Sequence, residues 1–193
     1  MTILRCRRQH TGPVPPRLLD HALRTRLEGA DLTYPATLRA DAAPPPSYRR
    51  LQRSRRLGAG DEVFERARDE LLSWRMHERA GFVVATSTAD LEVGTVLTLS
   101  TSFGPWAVVA PCRVVRVLAD PDRVGFAYGT LSGHPVSGEE DFLIVRQPDG
   151  QVVATVRAVS RPDSTLARLG TPITRRQQRR IASDYLAALA GAV

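Results

Sequence analysis

The chain has 193 residues, the length of one domain that can bury a core without disulfide bonds or a structural metal. Hydrophobic residues make up 42% of it and charged residues 24%, proportions that are ordinary for a globular protein. No stretch approaches the roughly 20 apolar residues of a membrane span, and no apolar run follows the basic residues at the N-terminus. The two cysteines, Cys6 and Cys112, have no paired spacing, which argues against a disulfide scaffold and a cysteine metal site. We therefore expect a cytoplasmic protein.

The net charge of +7 comes from arginine alone, because the chain contains no lysine. Residues 1–60 carry twelve Arg against four acidic residues, and residues 171–193 carry four Arg against one. The central residues 61–170 are mildly acidic, with eleven Arg against fifteen acidic residues. Basic ends of this kind can attract anionic partners, but solvated arginines on terminal helices and an edge strand are the simpler interpretation. Nucleic acid is therefore an unlikely partner on charge alone.

The N-terminal region reads as a helical arm. Pro15-Pro16 suits the start of a helix, apolar residues recur at near-helical spacing from Leu18 to Leu27, and Gly29 predicts its end. The segment Asp41–Ser47 contains three prolines, which indicates a stiff extended linker. We expect residues 1–43 to form an arm that packs on a main domain of residues 44–193.

The main domain alternates helix and strand signals before a long β region. The pattern predicts a strand over Tyr48–Leu57 and a helix over Asp61–Arg79 with an apolar stripe through Phe64 and Trp74. Turn residues then separate six predicted strands: Phe82–Thr88, Gly94–Ser102, Ala107–Leu118, Arg123–Leu131, Glu139–Arg146 and Val152–Arg161. The short connections favour antiparallel pairing. Pro111 would remove a ladder hydrogen bond, so a bulge or an edge is expected near it.

The last predicted helix runs from Thr171 to about Ala190 and has one apolar face that includes Ile181, Tyr185 and Leu189. An antiparallel sheet with one polar face must cover its other face, and this helix is available to do so. The predicted fold is therefore α+β: a curved antiparallel sheet of about seven strands wrapped around a long C-terminal helix, with an N-terminal helical arm. The space between such a sheet and helix is often an apolar cavity.

The segment Gly125–Phe142, with the sequence GFAYGTLSGHPVSGEEDF, resembles the signature of uncharacterised protein family 0548. Further matching segments are spread over nearly the whole chain: Leu32–Pro35, Phe64–Ala67, Leu72–Trp74, Arg113–Val115, Ser160–Pro162 and Tyr185-Leu186. That family is found in bacteria and plants and is similar to helix-grip proteins, which include START lipid-transfer domains, Bet v-like allergens and polyketide cyclase-like proteins. The resemblance implies a helix-grip fold with a cavity, and it implies no established reaction.

The candidate catalytic residues lie within that signature: Tyr128, His134, Glu139 and Glu140. An imidazole beside a carboxylate is a plausible acid–base pair, and Glu139 and Glu140 must point to opposite faces of a strand. The alternative is structural, with His134 bonded to the backbone of a shaped turn and the glutamates paired with arginines. The sequence does not decide between these interpretations.

The candidate ligand-binding residues are Tyr128, Thr130, His134, Glu140, Arg161, Trp74 and Trp106. Arg161 ends the last strand, where an inward guanidinium would hold a carboxylate or phosphate at the mouth of the cavity. A salt bridge to Glu139 or Glu140 is equally plausible for it. The four histidines are scattered and show no ligand spacing, so no metal site is predicted, and no motif indicates a cofactor.

Three functions remain open from the sequence. The first is binding of a small hydrophobic or amphipathic ligand between the sheet and the C-terminal helix. The second is an enzyme of the same fold that uses His134 with Glu139 or Glu140 for acid–base chemistry. The third is an interaction module that uses the basic ends of the chain.

Overall fold

The structure, a computed structural model, describes residues 16–103, 106–162 and 171–193; the side chains of residues 103, 106–107 and 171–175 also lie outside the description. In chain order the elements are β1 (Arg17–Leu18), α1 (His21–Glu28), β2 (Arg49–Ala59), α2 (Asp61–Leu72), α3 (Arg75–Arg79), β3 (Val83–Thr86), β4 (Val96–Phe103), β5 (Trp106–Asp120), β6 (Arg123–Thr130), β7 (Val136–Arg146), β8 (Gln151–Pro162) and α4 (Thr171–Ala190). The predicted α+β class is confirmed.

The strands form one eight-stranded sheet in the order β1-β3-β4-β5-β6-β7-β8-β2. The strands from β3 to β8 pair antiparallel with their sequence neighbours, as their short connections predict. Strand β2 pairs antiparallel with β8 and forms one edge, while the two-residue β1 pairs parallel with β3 at the other edge. The curved antiparallel sheet with a C-terminal helix is therefore confirmed, with one short parallel strand added.

Three local predictions need correction. Helix α1 begins at His21, later than the start that Pro15-Pro16 predicted. The Asp20 side chain caps it by accepting a hydrogen bond from Leu23 N, one of the backbone N–H groups that have no partner within the helix. The predicted helix over 61–79 is broken at Trp74, whose φ of 65° is left-handed and separates α2 from α3. The register shift in β5 lies between Val114 and Arg116 and not at Pro111.

The two faces of the sheet carry different layers. The inner face packs against α2, α3 and α4, and its core includes Phe126, Phe142, Trp74 and Tyr185. The outer face is covered by the chain from α1 to about residue 41, where Leu27, Leu38 and other apolar residues are buried. The arm predicted for residues 1–43 thus contributes a packed layer over the part of it that the structure describes, and its boundary at residue 43 stays a prediction.

No helix among the described residues is long and apolar enough to cross a membrane.

Candidate functional site

A cavity of about 280 Å³ lies between the inner face of the sheet and α4. Most of its wall is apolar, with Phe82, Leu99 and Ile181 among the lining residues. Polar groups that line it come from four strands, from the loop between β6 and β7, and from α4: Thr101, Tyr128, Thr130, His134, Glu140, Ser160, Gln177, Gln178 and Tyr185. An apolar concavity with a few convergent polar groups is the usual form of a small-molecule site.

The cavity follows from a change of side-chain size along the inner face. Near the middle of the sheet Phe126 lies opposite Phe142, with ring centroids 5.1 Å apart, and large aromatic groups fill the core there. Toward the other end of β6 and β7, and on the neighbouring β8, the inner face carries the small residues Thr130, Gly138 and Ser160. These residues are too small to fill the space beneath α4, although Ser160 Oγ accepts a hydrogen bond of 3.0 Å from Gln178 Nε2 of that helix.

Tyr128 and Glu140 form a polar pair on the wall of the cavity. They lie directly opposite each other on β6 and β7, and the Tyr128 hydroxyl donates a hydrogen bond of 2.7 Å to Glu140 Oε2. Burial raises the pKa of Glu140 to about 7, although the tyrosine hydrogen bond opposes this shift. Burial, and then the nearby Glu140 charge, raise the pKa of Tyr128 well above its usual value. The pair offers a proton donor and an acceptor inside the cavity near neutral pH.

The carboxylate of Glu139 points to the outer face, away from Glu140, as strand alternation predicts. Glu139 accepts hydrogen bonds from Ala40 N at 3.0 Å and from the Tyr34 hydroxyl at 3.4 Å, and it forms an ion pair of 3.3 Å with Arg116. Its carboxylate therefore holds the arm on the sheet. Of the two glutamates, only Glu140 presents its side chain to the cavity.

His134 lines the cavity, but its bonding differs from the predicted imidazole–carboxylate pair. Its Nδ1 lies 3.1 Å from Val136 N and 2.9 Å from Val136 O, so the ring is bonded to the backbone of its own turn. Burial lowers its pKa to about 4, although the hydrogen bond with the Val136 backbone opposes this shift. A neutral imidazole at pH 7 results. The Thr130 hydroxyl is likewise engaged with the Gly138 backbone and with Thr33.

Two further predicted ligand-binding residues do not line the cavity. Arg161 lies on the outer face, with its guanidinium 5.1 Å from the ring centroid of Tyr48, because residue 161 alternates with the inward-facing Ser160. Trp74 is buried in the core, where its ring lies 4.9 Å from that of Phe126. The side chain of Trp106 lies outside the described residues.

Two residues of the site were not singled out as chemistry-bearing by the sequence. Tyr185 of α4 lines the cavity. Its pKa is raised well above the usual value, mainly by burial and to a smaller extent by the Glu140 charge. His77 lies behind the cavity wall, with its ring 6.0 Å from Tyr128 and 4.8 Å from Tyr185, and it is fully buried. Neither of its ring nitrogens has a hydrogen-bond partner among the described residues. The match of Tyr185-Leu186 to the family pattern was a signal for the tyrosine, whereas nothing in the sequence marks His77.

Within residues 16–103, 106–162 and 171–193, no group of three His, Cys, Asp or Glu side chains is arranged to hold a metal ion.

Comparisons with known proteins agree with this architecture. A family profile described as "Domain of unknown function (DUF1990)" matches residues 33–188. A UPF0548 protein of Deinococcus radiodurans is 34% identical over an alignment of 153 residues that covers 72% of this chain and 76% of that protein.

Solved structures resemble the chain at low sequence identity. Hypothetical protein jhp0584 from Helicobacter pylori has a TM-score of 0.63 at 12% identity, covering 83% of this chain and 98% of that one. The ZhuI aromatase/cyclase from Streptomyces sp. R1128 has a TM-score of 0.51 at 17% identity, covering 75% of this chain and 92% of that one. Likeness at such identity shows the fold alone, and it confirms the predicted similarity to cyclase-like proteins. With its signature segment, its sheet-and-helix architecture and these matches, the chain belongs to the DUF1990 family, also called UPF0548.

Proposed function

We propose that this protein binds a small, mainly apolar ligand in the cavity between the sheet and α4. The observation that carries the proposal is the pairing of Tyr128 with Glu140 on the wall of an otherwise largely apolar cavity. A carboxyl group buried beside open space, with no described arginine bonded to it, lowers the free energy of unfolding relative to an apolar side chain at the same position. Such a cost is expected where the group orients a ligand.

The polar pair indicates what the ligand must offer. Glu140, with a pKa of about 7, is protonated in part of the population at neutral pH and can donate or accept a hydrogen bond. The apolar wall favours a hydrocarbon or aromatic body. We therefore infer a ligand with an apolar body and one hydroxyl, carbonyl or similar polar group that reaches Tyr128 and Glu140.

A second candidate function is proton transfer on the bound molecule. A general acid or base works best when its pKa lies near the working pH, and Glu140 meets that condition inside a cavity. In this proposal Glu140 exchanges the proton, and Tyr128 holds the carboxyl group and donates a hydrogen bond. Glu139 is not included, because its carboxylate lies on the outer face.

The binding proposal is tested by filling the cavity. Ala158 lies opposite Glu140 on β8 and lines the cavity, so Ala158→Leu places a larger apolar group in the open space. The measurement is fluorescence titration with the neutral apolar probe N-phenyl-1-naphthylamine. We expect the wild type to bind the probe, and the variant to lose at least about tenfold in affinity while remaining folded.

Ala119→Leu is the matched control, because Ala119 lies at the exposed end of β5 outside the cavity. This control should bind the probe as the wild type does. Equal binding by the Ala158→Leu variant would show that the probe sits elsewhere and would contradict the proposal. Native mass spectrometry of protein purified from its own host then identifies the ligand, and Glu140→Gln separates the two candidate functions: loss of turnover with binding retained supports proton transfer.

A further inference from the structure

A second concavity adjoins the ligand cavity at the edge of the sheet. It is a groove of about 450 Å³ between β2 and α4, and its lining includes Arg49, Arg50 and Arg53 of β2 together with Arg179 of α4. Three lining residues are shared by the groove and the cavity: Leu51, Ser160 and Gln178. The two spaces are therefore neighbours on one continuous surface, apolar in one part and basic in the other.

The basic character of the groove has a structural origin. Among the strands that the structure describes, β2 pairs with β8 alone, so its arginines lie at the edge of the sheet beside α4. Some arginines elsewhere are neutralised, such as Arg116 and Arg157, which both form ion pairs with Asp141. The four groove arginines, Arg49, Arg50, Arg53 and Arg179, form no ion pair with any Asp or Glu that the structure describes. Arg50 lies opposite Val159 of the outer layer, so its side chain points away from the groove, whereas the positive charges of Arg49, Arg53 and Arg179 add together there and favour an anion.

We propose that the groove binds the phosphate or carboxylate group of an amphipathic ligand whose apolar body occupies the cavity. This inference rests on the proposed function and adds the charge of the ligand to it. Guanidinium groups donate paired hydrogen bonds that match phosphate and carboxylate oxygens, so several arginines in a groove suit either anion. The sequence analysis assigned anion binding to Arg161, but Arg161 lies on the outer face. In this proposal the arginines of β2 and α4 bind the anion instead.

The distribution of charge also sets the orientation of the bound ligand. The acidic Glu140 lies on the wall of the cavity and the arginines lie in the groove beside it. An anionic group is attracted to the groove and repelled by an ionised Glu140, whereas a neutral polar group is accepted next to Tyr128. The ligand is thus held with its anionic end outward and its apolar body inward.

The test compares two probes of equal chain length, decyl phosphate and decanol, in calorimetric titrations of the full chain. We expect decyl phosphate to bind more tightly than decanol. The double variant Arg53→Ala/Arg179→Ala should lower decyl phosphate affinity about tenfold, the loss expected for charge-assisted hydrogen bonds, and should leave decanol affinity unchanged. Raising the salt concentration should weaken decyl phosphate binding only. Decanoate in a parallel titration tells a carboxylate preference from a phosphate preference.

The matched control is Arg55→Ala/Arg56→Ala, which removes two exposed arginines of the same strand that do not line the groove. It should bind both probes as the wild type does. Equal loss of decyl phosphate affinity in both double variants would mean a general charge effect and would overturn the proposed groove. Binding of decanol with no advantage for decyl phosphate would overturn the groove and leave the cavity standing. Failure of both probes, together with failure of N-phenyl-1-naphthylamine, would overturn the proposed function itself.

Discussion

At the scale of single residues, the pair of Tyr128 and Glu140 is the feature that sets this cavity apart from a filled core. A carboxyl group whose pKa is raised to about 7 by burial stays protonated in the folded protein at pH values where the unfolded chain has already lost the proton. The folded state is therefore destabilised as pH rises from about 4.5 to 7, and the loss is complete above that range. The Glu140 carboxyl group thus provides an acid–base group in the cavity and lowers the stability of the fold.

Glu140→Gln should remove this cost. Relative to the wild type, the variant should gain about 2–3 kcal/mol of unfolding free energy between pH 5 and pH 8, because glutamine has no proton to lose. Urea unfolding at both pH values measures the difference. Glu139→Gln is the control, and it should destabilise the protein because its carboxylate binds Ala40 N and Arg116. A difference between Glu140→Gln and the wild type that does not change with pH would contradict the raised pKa.

At the scale of elements, the outer face of the sheet is bound to the arm by specific polar contacts as well as by apolar packing. Arg113 of β5 donates from its Nη2 to three backbone carbonyl oxygens at the end of α1, those of Leu27, Glu28 and Ala30, at 2.7, 3.0 and 2.8 Å. A cation at the C-terminal end of a helix satisfies orphan carbonyls and interacts favourably with the helix dipole. One side chain thus couples α1 to the centre of the sheet.

Arg113→Ala should loosen α1 without disturbing the cavity. We expect a loss of about 1–3 kcal/mol of stability, since the carbonyl groups lose a charged donor, and faster amide hydrogen exchange in α1 than in β6. Arg123→Ala, at the exposed start of β6, is a control that should change neither quantity. Unchanged exchange in α1 of the Arg113→Ala variant would show that apolar packing alone holds the arm.

At the scale of the whole molecule, buried titratable groups on the inner side of the sheet shape the dependence of stability on pH. His77 is buried among aromatic rings, and burial lowers its pKa to about 3, while the pKa of His134 falls to about 4. Both rings stay neutral in the fold, whereas the unfolded chain takes up protons below about pH 6.5. Stability is therefore lost as pH falls below 6.5, and Glu140 causes an opposite loss as pH rises toward 7.

His77→Phe should remove much of the acid loss. Phenylalanine suits the aromatic surroundings and leaves no unpaired ring nitrogen, so the variant should be at least as stable as the wild type at pH 7. At pH 5 it should be more stable than the wild type by about 2 kcal/mol. Unfolding curves at a series of pH values provide the measurement. A variant that loses stability below pH 6.5 as steeply as the wild type would contradict the buried neutral imidazole.

The sequence by itself determined where the central strands lie along the chain and how their side chains alternate. Turn residues and strand-period patterns predicted the six central strands, and alternation along a strand already required Glu139 and Glu140 to face opposite sides. These are short-range properties of the chain, since they depend on neighbouring residues only. The long signature segment pointed to the family for the same reason: it is a contiguous pattern.

Only the tertiary structure decided which face of each strand is inside and what each side chain meets there. Glu140 pairs with Tyr128 and not with His134, because the register of β6 and β7 places these two residues opposite each other. Arg161 lies against Tyr48, because the register of β2 and β8 places Arg49 opposite Ser160. His77 became a buried neutral ring through aromatic partners that are far from it in the chain. Such contacts depend on strand register and helix packing over long separations, and a pattern of period two fixes alternation without fixing the partner.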